Sequence, residues 1–413
     1  MKSIYLERYA FQQTYISSEN YGTPDIIVVL PCFNEPHVLT SLQALEACEI
    51  PNGEVSVIVV INASESSSSE IKSHNENTLT ACHEWLKSSL KKYKYHFILE
   101  NEMPHKHAGV GLARKIGMDE AVRIFESQDK DGVILCFDAD TTCESNLFIE
   151  VENLFNSDAR ITGCSIHFEH PLYGDFEPEI YEGILNYELH LRYYVDGLKY
   201  AGFPYAFQTI GSSMAVRSSA YQKQGGMNRR KAGEDFYFLH KIIPLGHFKE
   251  LNSTKIIPSP RRSDRVPFGT GRAIGSWLDD EKSELLSYDP RVFEDLKVLF
   301  QTVDSLYRNE DVEEKWNGLP NSLRQFISVD EWKNLIGEFN SQANSLATFQ
   351  KRFFQWFDGF KALKFVHFAR DEFYPNVPVS VGVDWLFATM SMESKSWSLK
   401  TKLEELRKVD SVQ

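Results

Sequence analysis

The chain has 413 residues, of which 42% are hydrophobic and 25% charged, so we expect one large globular domain with an extension. Its formal net charge of -14 disfavours general nucleic-acid binding, because affinity for phosphates requires clustered lysine and arginine. Six cysteines occur without a C-x-x-C pair, which predicts reduced thiols and excludes the usual thiolate metal sites.

The first 20 residues contain no apolar stretch of signal-peptide length, and no run of 18 apolar residues occurs in the chain. We therefore expect a cytoplasmic protein that has no membrane-spanning helix.

Strands and helices alternate along the first part of the chain. Apolar runs without polar alternation predict strands that are covered on both faces; they occupy residues 25–31, 55–61, 95–99, 132–137 and 161–168. Segments with helical spacing lie between or after these runs, at residues 36–48, 79–90, 111–125 and 181–195. The alternation predicts an α/β fold with a mostly parallel, doubly wound sheet.

The character of the sequence changes near residue 277. Glycine becomes sparse, and charged residues interleave with Leu, Phe and Trp at helical spacing, with no β-branched run before residues 377–383. We therefore divide the chain into a sheet domain at residues 1–276 and a mainly helical C-terminal extension at residues 277–413.

Within the extension, Phe349, Phe353, Trp356 and Phe360 fall on one face of a predicted helix that is locally basic. A stripe of rings at this spacing usually packs in a core, here between the extension and the sheet domain. The alternative is a helix that lies on a membrane or holds a lipid-linked acceptor.

The run at residues 132–137 is followed directly by Asp138-Ala139-Asp140. Two carboxylates at the carboxyl edge of a strand repel each other unless a hard cation neutralises them. A divalent ion, Mn²⁺ or Mg²⁺, that bridges to a diphosphate would do so and would stabilise a departing nucleotide. The alternative is a simple turn pair, since aspartate is common after strands.

Three further groups of residues favour the metal site over the turn. Asn34 and Glu35 follow Pro31 at the end of the first run, where polar groups face the same crevice. Gly111 opens a predicted helix and permits close backbone approach, and Arg114 can meet a phosphate with paired hydrogen bonds. The third group is the acidic pair Glu234-Asp235, which begins an apolar helical stretch.

The order of these motifs resembles the family 2 glycosyltransferases and their GT-A relatives. Pro-x-x-Asn-Glu, Ala-Arg-x-x-Gly, Asp-x-Asp and Glu-Asp follow one another between about residues 25 and 270. The resemblance implies a GT-A, Rossmann-like catalytic domain at residues 1–276. Such a domain binds a nucleotide-sugar donor and transfers the sugar to a hydroxyl acceptor.

The resemblance also implies a role for each motif. Asp140 would bind the metal, and Asp138 would contact the ribose or the metal. Arg114 would touch the donor diphosphate, and Pro31 with Glu35 would line the nucleoside pocket.

Asp235 would be the general base that deprotonates the acceptor hydroxyl, with Glu234 beside it supporting its orientation. A base next to the acceptor oxygen permits direct in-line displacement, so inversion at the anomeric carbon is favoured.

The sequence departs from the family after the second run. Many members carry Asp-Asp-Gly-Ser there, whereas this chain has Ile61-Asn62-Ala63-Ser64. Asn62 has both a donor and an acceptor and can contact a base edge differently from a carboxylate. We expect a UDP-sugar donor first, and a GDP-sugar is the alternative.

Four arginines fall within twelve residues at Arg261, Arg262, Arg265 and Arg272. The glycines between them permit movement, and the segment matches the place of a cation-bearing loop in relatives. We predict that it covers the diphosphate, with Arg262 and Arg265 as donor contacts. A solvated basic loop is the alternative.

Other functions stay open on the sequence alone. A retaining transferase of the same fold would complete its metal site with a histidine, for which His240 or His247 is available. A non-catalytic or nucleotidyltransferase-like sugar-nucleotide binding protein is the other alternative. The acceptor is unidentified. A glycan or lipid-linked acceptor of cell-envelope or glycan biosynthesis fits a cytoplasmic enzyme that contacts the inner face of a membrane peripherally.

Overall fold

A computed structural model of the chain describes residues 3–263, 269–279 and 284–412. The described residues form two compact units. The first unit is drawn from Met1–Ile184, Thr209–Asp279 and Arg407–Gln413, and the second from Leu185–Gln208 and Asp280–Leu406. Among the described residues, no helix has the length and apolar character that crossing a bilayer requires.

The first unit is built on an eight-stranded sheet. Its strands are β1 (Ile26–Cys32), β2 (Val55–Ser64), β3 (Lys94–Met103), β4 (Val133–Cys136), β5 (Thr142–Cys143), β6 (Gly163–Phe168), β7 (Met214–Arg217) and β8 (Phe248–Ile257). In space they follow the order β3-β2-β1-β4-β7-β6-β8-β5. The pairs β3–β2, β2–β1, β1–β4 and β6–β8 are parallel, and the other three are antiparallel.

Helices of the first unit connect these strands. They are α1 (Ile4–Arg8), α2 (Val38–Ala47), α3 (Ser69–Lys87), α4 (Val110–Ser127), α5 (Leu147–Ser157), α6 (Pro178–Ala201), α7 (Ser218–Lys223), α8 (Glu234–Ile242) and α9 (Thr270–Asp279). Helix α6 continues into the second unit, since the division falls after Ile184.

Both faces of the central strands are covered, as their continuous hydrophobicity predicts. On one face, Val28 and Leu30 of β1 share a buried cluster with Leu42 of α2 and Phe148 of α5. On the other face α4 lies directly on β1, because a Cβ at Gly117 would come within 2.5 Å of Val29.

The predicted α/β class and mostly parallel sheet are confirmed, and the predicted strands and helices of the first 200 residues are present with shifted ends. The sequence analysis missed β8 and β5. Strand β8 reads Phe-Lys-Glu-Leu-Asn-Ser-Thr-Lys-Ile-Ile, and its polar residues interrupt the apolar run that marked the other strands. Such a half-exposed strand lacks the continuous apolar run of a strand that is covered on both faces.

The strand directions bring seven chain ends to one edge of the sheet. Strands β1 to β4 run the same way, and β7 runs against β4. Because β6 is antiparallel to β7 and β8 is parallel to β6, both run with β4. The residues that follow β1, β2, β3, β4, β6 and β8, and those that precede β7, therefore meet at this edge, which we call the carboxyl edge.

The second unit is mainly helical, which confirms the predicted character of the extension. It holds the short antiparallel pair β9 (Leu286–Ser287) and β10 (Val377–Pro378). Its helices are α10 (Arg291–Thr302), α11 (Val312–Asn317), α12 (Asn321–Phe326), α13 (Val329–Gln342), α14 (Leu346–Trp356), α15 (Gly359–Glu372) and α16 (Val379–Thr389). Helix α17 (Leu399–Val412) ends in the first unit, where Arg407 donates to the carbonyl of His170 at 2.7 Å.

The aromatic stripe of the extension is divided between two helices. Asp358 accepts from the backbone of Lys361 at 2.9 Å and begins α15, so the face does not continue from α14 as one helix. Phe349 and Phe353 are fully buried, with Phe353 against Phe357. The rings therefore form a core within the second unit. The β-branched run at residues 377–383 is likewise mostly helix, in α16.

Candidate functional site

The Asp-x-Asp motif lies at the carboxyl edge, in the turn that follows β4. The side chains of Asp138 and Asp140 are 36% and 26% exposed, so both can meet a ligand. The turn is closed by Thr141, whose backbone N–H donates to the carbonyl of Asp138 at 3.2 Å.

A buried arginine joins this motif to the acidic pair. Arg114, from the first turns of α4, is only 2% exposed and donates from Nη2 to Asp138 Oδ1 and from Nη1 to Glu234 Oε1. Gly211, just before β7, permits this placement, because a Cβ there would lie 2.2 Å from Nη1 of Arg114. The two acidic motifs thus meet through one guanidinium.

The acidic pair begins α8. Gly233 precedes it with φ of 65°, a left-handed conformation that favours glycine. Asp235 Oδ1 accepts from the backbone N–H of Phe236 at 2.8 Å. Burial raises the pKa of Asp235, while Arg114 and the Phe236 hydrogen bond oppose the rise. Burial likewise raises the pKa of Glu234, against the opposing charge of Arg114.

A second arginine connects two other strand ends. Arg261, which follows β8, donates to Asp140 Oδ2 from Nε at 3.0 Å and from Nη2 at 2.8 Å. Its Nη2 also donates to Oε2 of Glu35, which is only 1% exposed. The other oxygen of Glu35 accepts from the backbone of His37 at 2.9 Å.

A buried asparagine ties together the ends of the first three strands. Asn75 of α3 accepts from the backbone N–H of Asn34 at 3.2 Å and donates to the carbonyl of Asn62 at 3.0 Å. Its Nδ2 also donates to Oδ1 of Asn101 at 2.9 Å. Asn34 has a φ of 46°, so this contact holds a left-handed backbone at the end of β1. Pro31 lies just before it, buried within β1.

Several buried polar atoms at the carboxyl edge find no hydrogen-bond partner within the described part of the chain. They are Asn62 Oδ1, Arg114 Nε, Thr141 Oγ1 and Ser213 Oγ. Buried polar groups are normally paired, so unpaired ones point to a ligand or to water. The carboxyl edge therefore offers hydrogen-bonding groups to a polar ligand.

Gly111 lies against another loop. Its backbone N–H donates to the carbonyl of Arg230 at 3.2 Å, and a Cβ would come within 2.4 Å of that oxygen. The glycine thus allows residues 228–231 to cover the start of α4. A donor contact by Gly111 stays a prediction.

The arginines of the predicted basic loop differ in what they contact. Arg262 pairs with Asp279 at 2.9 Å and is 42% exposed. Arg265 lies outside the described residues. Arg261, which the sequence analysis left among the loop cations, contacts both Asp140 and Glu35.

Of the two histidines considered as metal ligands, His240 packs its ring 4.3 Å from that of Phe236, and burial lowers its pKa to about 4. His247 is exposed and follows α8 with φ of 54°.

The chemistry of the site fits a divalent ion that binds together with a diphosphate. Across the described residues, no group of three or more His, Cys, Asp or Glu side chains is arranged as a metal site. Asp138 and Asp140 offer hard oxygen ligands from two side chains. Mg²⁺ and similar ions use one or two carboxylates and take their other ligands from phosphates and water.

Sequence reasoning missed the roles of Arg261 and Asn75. Arg261 was visible only as one of four loop arginines, since the strand that delivers it was not predicted. Asn75 lies in a polar helical stretch, and a short side chain in such a stretch gives no pattern that distinguishes a buried link from a solvated residue.

No protein-family model matches the chain, and no curated protein matches it. Among solved structures, it is similar to residues 1–349 of TarS from S. aureus in complex with UDP-GlcNAc, with 12% identity, a TM-score of 0.41, and coverage of 77% of this chain and 92% of that one. It is also similar to the mannosyltransferase PcManGT from Pyrobaculum calidifontis in complex with GDP-Man and Mn²⁺. That likeness has 14% identity and a TM-score of 0.37, and covers 94% of this chain and 87% of that one. Likeness at these scores decides neither fold family nor activity.

Proposed function

We propose that the chain is a glycosyltransferase of the GT-A type, resembling family 2, which transfers a sugar from a nucleotide-sugar to a hydroxyl acceptor with inversion. The observation that carries the proposal is the link that Arg114 makes between Asp138 and Glu234. It joins a strand-end motif suited to a diphosphate with an acidic pair suited to an acceptor, at one edge of an α/β sheet. Ligands of open α/β sheets bind at this edge.

The nucleoside would lie at the ends of β1 and β2. Asn62 offers a buried Oδ1 that no described donor satisfies, and an N–H of the base would satisfy it. Pro31, Asn34 and Glu35 supply the neighbouring wall. Uridine is our first choice and guanosine the second, since the amide of Asn62 can donate as well as accept.

The diphosphate would lie over the Asp-x-Asp turn. Mn²⁺ or Mg²⁺, held by Asp140 and Asp138 together with the diphosphate oxygens, would offset the charge that develops on the departing nucleoside diphosphate. Asp138 is oriented for this by its hydrogen bond from Arg114. Arg262 and Arg265 remain predicted donor contacts.

Asp235 would act as the general base. It accepts the proton of the acceptor hydroxyl while the acceptor oxygen bonds to the anomeric carbon and the bond to the diphosphate oxygen breaks. The raised pKa of Asp235 makes it a stronger base than an exposed aspartate. Glu234, fixed by Arg114, holds the start of α8 and hence the neighbouring base.

The acceptor would be a carbohydrate, for which we favour a glycan or lipid-linked intermediate of cell-envelope or glycan biosynthesis, reached from the cytoplasm. The loop that follows β6 supports a carbohydrate acceptor. It exposes the rings of Tyr173 and Phe176, and exposed rings suit a ligand that has an apolar side.

The test is a calorimetric titration of UDP and GDP, each with and without Mn²⁺, on the wild type and on Asp140→Ala. We expect one nucleotide to bind in a metal-dependent manner, and we expect Asp140→Ala to abolish that dependence. If neither nucleotide binds under either condition, the proposed donor site is wrong. For a sugar donor that is turned over, the anomeric configuration of the product by NMR separates inversion from retention.

A further inference from the structure

We propose that Arg261 is an internal counter-cation of the donor site, which holds Asp140 until a divalent ion takes its place. The inference rests on the proposed function in one respect, since Asp140 is taken as a ligand of that ion. It adds that a side chain of the protein itself, Arg261, competes with the ion for Asp140, which the sequence motifs do not predict.

The first step is geometric. Arg261 follows β8 and Asp140 precedes β5, which pairs with the end of β8. Two nitrogens of Arg261 donate to the same oxygen of Asp140, Oδ2. An ion bound to this carboxylate would bring a second cation next to the guanidinium. Two cations on one carboxylate repel each other, so binding of either one weakens binding of the other.

The second step concerns charge. Glu35 is almost fully buried, and a buried carboxylate needs a cationic or hydrogen-bonded partner. A guanidinium keeps its charge in proteins, and that of Arg261 contacts the carboxylates of both Asp140 and Glu35. Arg261 thus neutralises two strand ends at once.

The third step concerns what remains after exchange. The contact with Glu35 uses the carboxylate that is buried, whereas Asp140 is partly exposed. An arriving ion can therefore take Asp140 while Arg261 keeps its bond to Glu35. The ends of β1 and β8 would stay joined, and only the contact with the Asp-x-Asp turn would be lost.

The experiment titrates Mn²⁺ alone into the full chain, without nucleotide, and follows free Mn²⁺ by electron paramagnetic resonance. Arg261→Gln should bind Mn²⁺ about tenfold more tightly than the wild type, within the range usual for coupled sites. Arg261→Lys keeps the charge but not the two-nitrogen contact and should fall between them. Arg160→Gln, which removes an exposed arginine paired with Asp158, is the matched control and should leave the affinity unchanged.

The double variant Asp140→Asn with Arg261→Gln tests whether the change in Mn²⁺ affinity arises at Asp140. Loss of the gain in the double variant supports competition at Asp140. Unchanged or weaker Mn²⁺ binding by Arg261→Gln, a gain that persists in the double variant, or no Mn²⁺ binding by either protein would overturn the proposal. Failure of the proposed function has a different signature, because nucleotides would then not bind although the Mn²⁺ competition is intact.

Discussion

Arg114 and Glu234 form a buried ion pair, in which Nη1 of the arginine donates to Oε1 of the glutamate. The same guanidinium holds Asp138, so its full charge is matched within the protein. Two consequences follow. The start of α4 is tied to the start of α8, and removal of the arginine would leave the carboxylate of Glu234 buried without its cation.

Replacing Arg114 with methionine should lower the free energy of unfolding by about 3–5 kcal/mol, because breaking a buried pair leaves an uncompensated charge. Urea denaturation followed by circular dichroism measures the loss. The control is Arg160→Met, which breaks an exposed pair with Asp158 and should cost much less. Equal losses in the two variants would show that the Arg114 network does not stabilise the fold.

Asp235→Asn should reduce kcat by about 10²–10⁴-fold, the usual contribution of a positioned general base. Asparagine keeps an oxygen that can accept from Phe236, so the start of α8 should be preserved. Nucleotide affinity should therefore change little. The rate of nucleotide release during sugar transfer measures kcat, and calorimetry measures the affinity for the nucleotide. A variant with wild-type kcat would exclude Asp235 as the base.

The raised pKa of Asp235 also predicts a pH dependence of stability. A carboxyl whose pKa is higher in the folded than in the unfolded state contributes stability below its unfolded pKa, and this contribution is lost as pH rises through the folded value. The stability of the wild type relative to Asp235→Asn should therefore fall as pH rises above 3.8, the ordinary pKa of an aspartate, by at most about 1.4 kcal/mol per pH unit. Denaturation curves at a series of pH values test the sign, and an increase with pH would contradict it.

Asn75→Ala should weaken nucleotide binding by about tenfold or more, although Asn75 itself lies within α3, beneath the site. Its loss frees the backbone of Asn34 and of Asn62 and so loosens the proposed base-binding wall. A purely structural role would weaken UDP and GDP equally, whereas a positioning role should also reduce the preference between them.

The matched control for that variant is Thr78→Ala, one turn further along α3. Thr78 is buried as well, but its hydroxyl donates to the carbonyl of His74 within the same helix, at 2.9 Å. It should lose stability without changing the preference between UDP and GDP. Loss of preference in both variants would assign the effect to helix packing.

Cys48 and Cys143 place their sulfur atoms 3.6 Å apart. Diamide should therefore oxidise them to a disulfide, with loss of two hydrogens from the chain and reduction of diamide to the hydrazine. The hydrogen bond with Cys48 and burial raise the pKa of Cys143, so the reaction should be faster at pH 9 than at pH 7. Intact-mass spectrometry measures it, with Cys48→Ser as the control that should not form this bond.

The sequence predicted strands β1 and β2 better than strand β8, for a physical reason. Strands β1 and β2 are buried on both faces, and their unbroken apolar runs are visible without any tertiary information. Strand β8 has only four apolar residues among its ten and depends on β6 and β5 for its pairing. The register that creates it is not encoded locally.

The candidate site shows the same limit. Asp138, Asp140, Glu234 and Asp235 were predicted as site residues because the order of their motifs can be read along the chain. The ion pairs of Arg114 and Arg261 were not predicted, because each arginine meets carboxylates from distant segments. The pairing of each arginine with its carboxylates depends on the order of the strands in the sheet. That order is known only from the folded structure.

The return of α17 to the first unit has a consequence for how the chain is made. Arg407 donates to the carbonyl of His170, so the loop after β6 acquires this anchor only when α17 has left the ribosome. The sheet can assemble earlier, since β8 ends at Ile257. During synthesis the nascent chain would then hold a nearly finished sheet before α17 is available to contact the loop after β6. Maturation of that loop is therefore coupled to the synthesis of α17.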